Sequence, residues 1–206
     1  MSKRSPLALA VLALLVEAPM HPYRMRQLIT ERGKDEVINV TQRASLYNTI
    51  DRLVRDGLVQ LMETSREGQR PERSVYEATS AGRDAAQAWM REMLTAPRPD
   101  YPEFTAALAH LPMIEPEQTA QCLRVRAASV AADVARLEAG MDEVKDWLPR
   151  LFLLDTELIL EMRRTELRWI TGLLADLDNG TIAWSHESVA AFGAIHHPHN
   201  PEDLSS

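Results

Sequence analysis

The chain has 206 residues, 45% hydrophobic and 26% charged, with only 8 Gly and 12 Pro. That composition supports one medium domain or two small ones with buried cores, and excludes a disordered or fibrous chain. The net charge of -7 is unevenly spread: residues 1–95 hold 14 Lys and Arg against 12 Asp and Glu, whereas residues 96–206 hold 9 against 18, so only the first half is suited to meeting a polyanion.

At the start, Lys3 and Arg4 ahead of "PLALAVLALLV" imitate the basic and apolar regions of a secretory signal peptide. Pro19 hinders cleavage after "VEA", and the apolar run is too short to span a bilayer. The segment is read instead as a buried helix, capped by Ser5, with Pro6 in its first turn and Pro19 at its end. "HPYRMRQLITERG" predicts a second, short amphipathic helix with Pro22 early, Met25, Leu28 and Ile29 facing inward, and Gly33 as the stop.

"KDEVINV" leads to a third helix between a Thr41 N-cap and a Gly57 stop. The inward stripe is expected to be Leu46, Ile50, Leu53 and Val54, with Gln42, Ser45, Asn48, Thr49, Arg52 and Arg55 on the opposite face. "LVQLMET" and "SVYEA" read as two strands around the basic, polar tip "SREGQRPER". Thr79 then opens a fourth helix that stops before Pro97 and Pro99 of "APRPDYP", the expected domain boundary.

The second half is expected to be wholly helical. From Leu123, the apolar positions Ala127, Val130, Val134, Leu137, Met141, Val144 and Leu148 follow in alternating steps of four and three, a heptad seam that needs a partner helix. The next segment carries one stripe through Leu153, Leu160, Leu167, Ile170, Leu174 and Leu177 and another through Leu158, Met162, Trp169 and Leu173. Two stripes imply burial on two sides, in a helical hairpin that also packs against a second copy. The single cysteine, Cys122, forms no internal disulfide, suits a reducing cytoplasm, and is read as a small buried side chain. The ending "AIHHPHNPEDLSS" is read as a frayed tail from about residue 194. Its His196, His197 and His199 have no Cys or carboxylate at ligand spacing, so no metal is assigned.

The fold class is thus mainly α: a winged helix-turn-helix over residues 1–95 with a two-stranded wing, and a helical dimerisation domain over 96–206. In that arrangement the third helix enters the major groove and the hairpin follows the backbone. Gln42, Asn48 and Arg52 supply directional hydrogen bonds to base edges, and the short Ser45 and Thr49 permit close approach. With Thr41 at a helix N-terminus suited to a phosphate, and with Arg43 and Tyr47, they form the candidate recognition surface. Arg66, Arg70 and Arg73 are the candidate wing contacts, partly offset by Glu67 and Glu72.

Taken in order, these motifs resemble the PadR family of bacterial transcriptional regulators. "LAVLALLVEAPMHPYRMRQLI" is similar to its opening pattern, with His21, Pro22 and Tyr23 at a His-Gly-Tyr triplet. "ASLYNTIDRLVRDGLV" resembles its recognition helix, and "QRPERSVYEATSAGR" its wing and the Thr-x-x-Gly start of the next helix. The resemblance covers residues 7–95, and the two long helices resemble the C-terminal dimerisation domain of longer family members. Pro22 and Gln69 stand where the family has Gly. The resemblance implies a homodimeric repressor without enzymatic activity or cofactor, bound to palindromic double-stranded DNA. It also implies that Tyr23, Arg24 and Tyr47 support or contact the DNA backbone.

A small-molecule effector is expected between the domains or at the dimer interface, where it changes the spacing of the recognition helices. Trp89, Trp147 and Trp169 are candidate pocket walls, or else ordinary core. There is no Gly-rich phosphate loop, paired metal ligand or nucleophile motif to suggest an enzyme. The alternative is a helical interaction module that binds protein rather than DNA, and steep salt dependence of DNA binding separates the two.

Overall fold

The computed structural model describes residues 4–40, 43–65 and 73–196, excluding the side chains of residues 43, 63–65, 73 and 193–196. The chain divides into two compact units, Met1–Pro99 and Asp100–Ser206. The described residues are mainly helical, with one two-stranded antiparallel sheet.

In the first unit, α1 (Pro6–Glu17) begins where Ser5 turns extended and its Oγ accepts a hydrogen bond from the Ala8 amide at 3.2 Å. It ends at Ala18, held extended ahead of Pro19. Leu7, Ala8, Val11, Leu12, Leu14 and Leu15 are all buried, so the segment that imitates a signal peptide is the unit's central core helix. The Nδ1 of His21 accepts from the Tyr23 amide at 3.0 Å and caps α2 (Pro22–Glu31). Gly33, at φ 64°, stops that helix, and a short 3-10 turn over residues 34–36 follows where the sequence suggested a plain connection.

From α3 (Arg43–Arg55) the chain reverses at Gly57, whose φ of 70° suits a residue without a side chain. Strands β1 (Val59–Ser65) and β2 (Arg73–Ala78) pair with Val59 opposite Ala78, and the register slips between Leu61 and Glu63. The α1–α2 turn joins this sheet: Met20 and Tyr76 exchange two backbone hydrogen bonds of 3.0 and 3.1 Å. Next, Thr79 fixes the entry to α4 (Ser80–Thr95). Its Oγ1 accepts from the Gly82 amide at 3.0 Å and donates to the Gly57 carbonyl at 2.8 Å. One core cluster results, with Met25 and Ile29 of α2, Leu46, Ile50 and Leu53 of α3, and the strand residues Val59 and Ala78 packed around α1.

The second unit contains α5 (Glu103–Leu108), α6 (Pro116–Val144), α7 (Leu154–Asp178) and α8 (His186–His196). The heptad seam is buried or half-buried from Leu123 to Leu148, and α6 packs along α7. Ion pairs Arg124–Asp178, Arg126–Glu166 and Arg164–Glu138 also join the two helices. The Arg126 guanidinium lies 3.7 Å over the Phe104 ring, which meets Trp169 edge-on at 6.2 Å and docks α5.

Two expectations are corrected here. Cys122 is exposed, because it lies next to the seam position Leu123 but off the seam. Helix α8 runs through His196, beyond the expected start of the tail at 194, while His197 and His199 lie outside the described residues. Within the single chain Leu160 and Ile170 of α7 are buried, whereas Leu158 and Met162 are each 63% exposed and Trp169 50%. Among the described residues, no helix is long and apolar enough to cross a membrane, and no three His, Cys, Asp or Glu side chains gather where they could hold a metal.

Candidate nucleic-acid interface

The geometry of α3 decides which of its residues face outward. Each residue turns the helix by about 100°. Leu46, Thr49, Ile50 and Leu53, spaced at i, i+3, i+4 and i+7, are buried and define the inward face. Directly opposite, at i, i+4, i+7 and i+11, stand Ala44, Asn48, Asp51 and Arg55, all exposed. This row projects furthest from the core.

That result corrects the expected face. Thr49 is only 9% exposed, and its hydroxyl donates to the Ser45 carbonyl at 2.8 Å, so it is a core residue rather than a groove contact. Its position, three residues after Leu46 and four before Leu53, puts it inside the apolar stripe. Val54, expected to face inward, is exposed because it falls about 90° from the centre of that stripe. Ala44 and Asp51, which the sequence reading passed over, were recoverable from the same helical spacing.

The remaining candidates divide by position. Asn48 is exposed, Tyr47 is exposed on one flank, and Ser45 and Arg52 are half-buried on the other. The Nε of Arg52 is enclosed without a hydrogen-bond partner among the described residues. Such a donor loses free energy unless it is matched. Arg52 and Arg55 occupy the last turn of α3, where positive charge complements the helix dipole. Thr41, Gln42, Arg66 and Arg70 lie outside the described residues. Arg43 is the first residue of α3 and Arg73 the first of β2.

On α2, Tyr23 is 63% exposed immediately after the His21 cap. Arg24 is exposed too, but its guanidinium is engaged by the Glu31 carboxylate at 3.1 and 3.3 Å. Between the C-terminal ends of α1 and α2, Arg32 donates to both oxygens of Glu17 at 2.8 and 2.7 Å. This hydrogen bonding holds the Glu17 carboxyl below its usual pKa and raises that of Arg32.

Trp89 is partly buried against the core of the first unit. In the second unit, Trp147 is exposed and donates to the Glu143 carbonyl at 3.3 Å, while Trp169 meets Phe104. An open groove at the far end of the α6–α7 pair is lined by Glu138, Met141, Asp142, Glu157, Leu160, Glu161 and Arg164, with no tryptophan. Its carboxylates are largely engaged: Arg164 pairs with Glu138 and Glu161, Arg150 with Glu157, and Lys145 with Asp142.

Residues 11–88 match the model of the transcriptional regulator PadR-like family. Among solved structures, PadR from Bacillus subtilis in complex with operator DNA is similar in fold. Its TM-score is 0.67 at 16% identity, over 84% of this chain and 99% of that one. The same protein in complex with p-coumaric acid also has a TM-score of 0.67 at 16% identity, over 84% and 98% of the two chains. The Vibrio cholerae virulence activator AphA gives 0.67 at 19% identity, over 84% and 98%. Among curated protein sequences, none matches the chain significantly.

Proposed function

We propose that this chain, whose residues 11–88 match the transcriptional regulator PadR-like family, is a DNA-binding regulator of that family acting as a homodimer. The observation that carries the reading is the outward row of α3, Ala44, Asn48, Asp51 and Arg55, set directly opposite its buried stripe. A recognition helix in the major groove needs such an arrangement: polar and small side chains on the row that projects furthest, with apolar anchors behind it.

Tyr23 on α2 and Tyr47 on α3 supply exposed hydroxyls suited to phosphate oxygens, which position a protein without specifying sequence. Arg43, Arg66, Arg70 and Arg73 add the charge that displaces counterions. Bacillus subtilis PadR, which shares the fold, is known in complex with operator DNA.

The homodimer reading is supported by the exposed stripe Leu158, Met162 and Trp169 on α7, which a second copy covers. Two copies present two recognition helices to a palindromic site with half-sites about one helical turn apart. The chain acts as a repressor in this reading, and a small molecule releases it by changing the spacing of those helices. Bacillus subtilis PadR in complex with p-coumaric acid supports an effector of small-molecule size.

Sedimentation of the full chain with a duplex from upstream of its own coding sequence tests this function. Two chains per duplex, in a complex that weakens steeply with salt, is the expected result; monomeric protein that leaves the duplex free overturns it. A promoter fusion read with and without the protein gives the sign of regulation, with repression expected.

A further inference from the structure

We propose that Asp51 selects a cytosine in each half-site, its carboxylate accepting a hydrogen bond from the cytosine N4 amino group in the major groove. The proposal rests on the DNA-binding reading and adds to it a residue that determines specificity.

The position comes first. Asp51 lies in the middle of the outward row of α3, between Asn48 and Arg55, and is exposed. It makes no hydrogen bond or ion pair with any described residue. Among the exposed carboxylates of the same unit, Glu17 is engaged by Arg32, Glu31 by Arg24 and Glu92 by Arg4, whereas Asp56 and Asp84, off the outward row, make no ion pair with described residues. Arg55, one turn further along the helix, is also exposed and makes no ion pair with Asp51.

The chemistry then narrows the partner. An ionised carboxylate only accepts hydrogen bonds. On a face that docks against DNA it is repelled by every phosphate, so it is accommodated only where a base edge offers a donor. In the major groove the donors are the N4 amino group of cytosine and the N6 amino group of adenine, while guanine and thymine present acceptors at the corresponding positions. Adenine places its N7 acceptor beside N6, which opposes the second carboxylate oxygen; cytosine has no such neighbour on its own ring. Cytosine is therefore the base that Asp51 fits.

The effect is selective rather than adhesive. Against guanine or thymine the carboxylate is desolvated while facing acceptors or a methyl group, and against adenine one of its oxygens faces N7, a penalty that falls on wrong sequences. Asp51 thus lowers binding to unrelated DNA and raises the ratio of specific to nonspecific affinity.

Selection from a duplex library with a randomised core, using the full-length protein and its Asp51→Ala variant, tests the proposal. For the unaltered protein, the selected duplexes are expected to share a cytosine at one fixed position in each half-site. Exchanging it for thymine weakens binding roughly tenfold or more. With Asp51→Ala the same exchange leaves affinity unchanged, binding to an unrelated duplex tightens, and the thermal melt is unaltered. An Asp51→Ala protein that keeps the cytosine preference overturns the proposal while leaving DNA binding intact. Failure of the unaltered protein to select any duplex overturns both this proposal and the reading on which it rests.

Discussion

Gly82, in the first turn of α4, lies so close to Leu58 that a β-carbon there would overlap the Leu58 carbonyl oxygen. The same carbonyl accepts the Thr79 amide at 3.1 Å, and Thr79 reaches back to the Gly57 carbonyl. The turn after the candidate recognition helix and the start of α4 are therefore one interlocked unit. Gly82→Ala is expected to cost about 2–4 kcal/mol of stability, because backbone rather than a flexible side chain must move. Urea denaturation followed by circular dichroism checks it. Thr79→Ala removes a cap and should cost about 1 kcal/mol.

The orientation of α3 makes a paired prediction. Thr49→Val, at a buried position, should change stability by no more than about 1 kcal/mol and leave DNA affinity intact, since its hydroxyl serves only the Ser45 carbonyl. Asn48→Ala, on the outward row, should leave the melt unchanged and weaken operator binding by about 1–3 kcal/mol. Equal losses of affinity for the two variants would mean that the face is rotated from the one described.

How far the sequence reveals this surface follows from the signals each residue carries. Ser5 with Pro6, Gly33, Gly57 and Thr79 each announce a local backbone state, and the heptad seam of α6 is strong enough to identify its buried face. Faces set by one or two residues are less legible. Val54 lies four residues after Ile50 and imitates a continuation of the stripe, while the hydroxyl of Thr49 suggests a surface that its spacing denies. The His21 cap, the Arg126–Phe104 stack and the Glu138–Arg164 pair depend on three-dimensional proximity or side-chain geometry that periodicity does not encode. Helix α8 is hidden for another reason: its apolar residues do not build a strong stripe, so the Pro- and His-rich ending dominates the reading.

The Glu17–Arg32 pair carries a pH dependence. Hydrogen bonding to Arg32 lowers the folded-state pKa of Glu17, so its contribution is fully present above the unfolded-state value and is lost as pH falls through the lowered folded-state value. Both side chains are about half exposed, which limits the effect at neutral pH to about 1 kcal/mol at most. Glu17→Gln should lower the melting temperature slightly at pH 7, and the difference from the unaltered protein should vanish in acid. Melts recorded from neutral pH down into the acid range test the sign.

For the second unit, Met162→Asp places a charge on the exposed stripe of α7 without disturbing the buried stripe at Leu160 and Ile170. The variant is expected to keep its helical circular dichroism, sediment as a monomer, and lose most of its operator affinity, because a single recognition helix forfeits the second half-site. A dimer that persists with unchanged affinity would place the interface elsewhere.

The most direct test of the central claim is fluorescence anisotropy of the full chain with a labelled duplex from its own upstream region, at two salt concentrations and beside an unrelated duplex. The account predicts tight binding that weakens steeply with salt, prefers the upstream duplex, and is diminished in Asn48→Ala. Equal affinity for both duplexes, or an Asn48→Ala protein indistinguishable from the unaltered one, would contradict the assignment of the outward row of α3 as the surface that reads DNA.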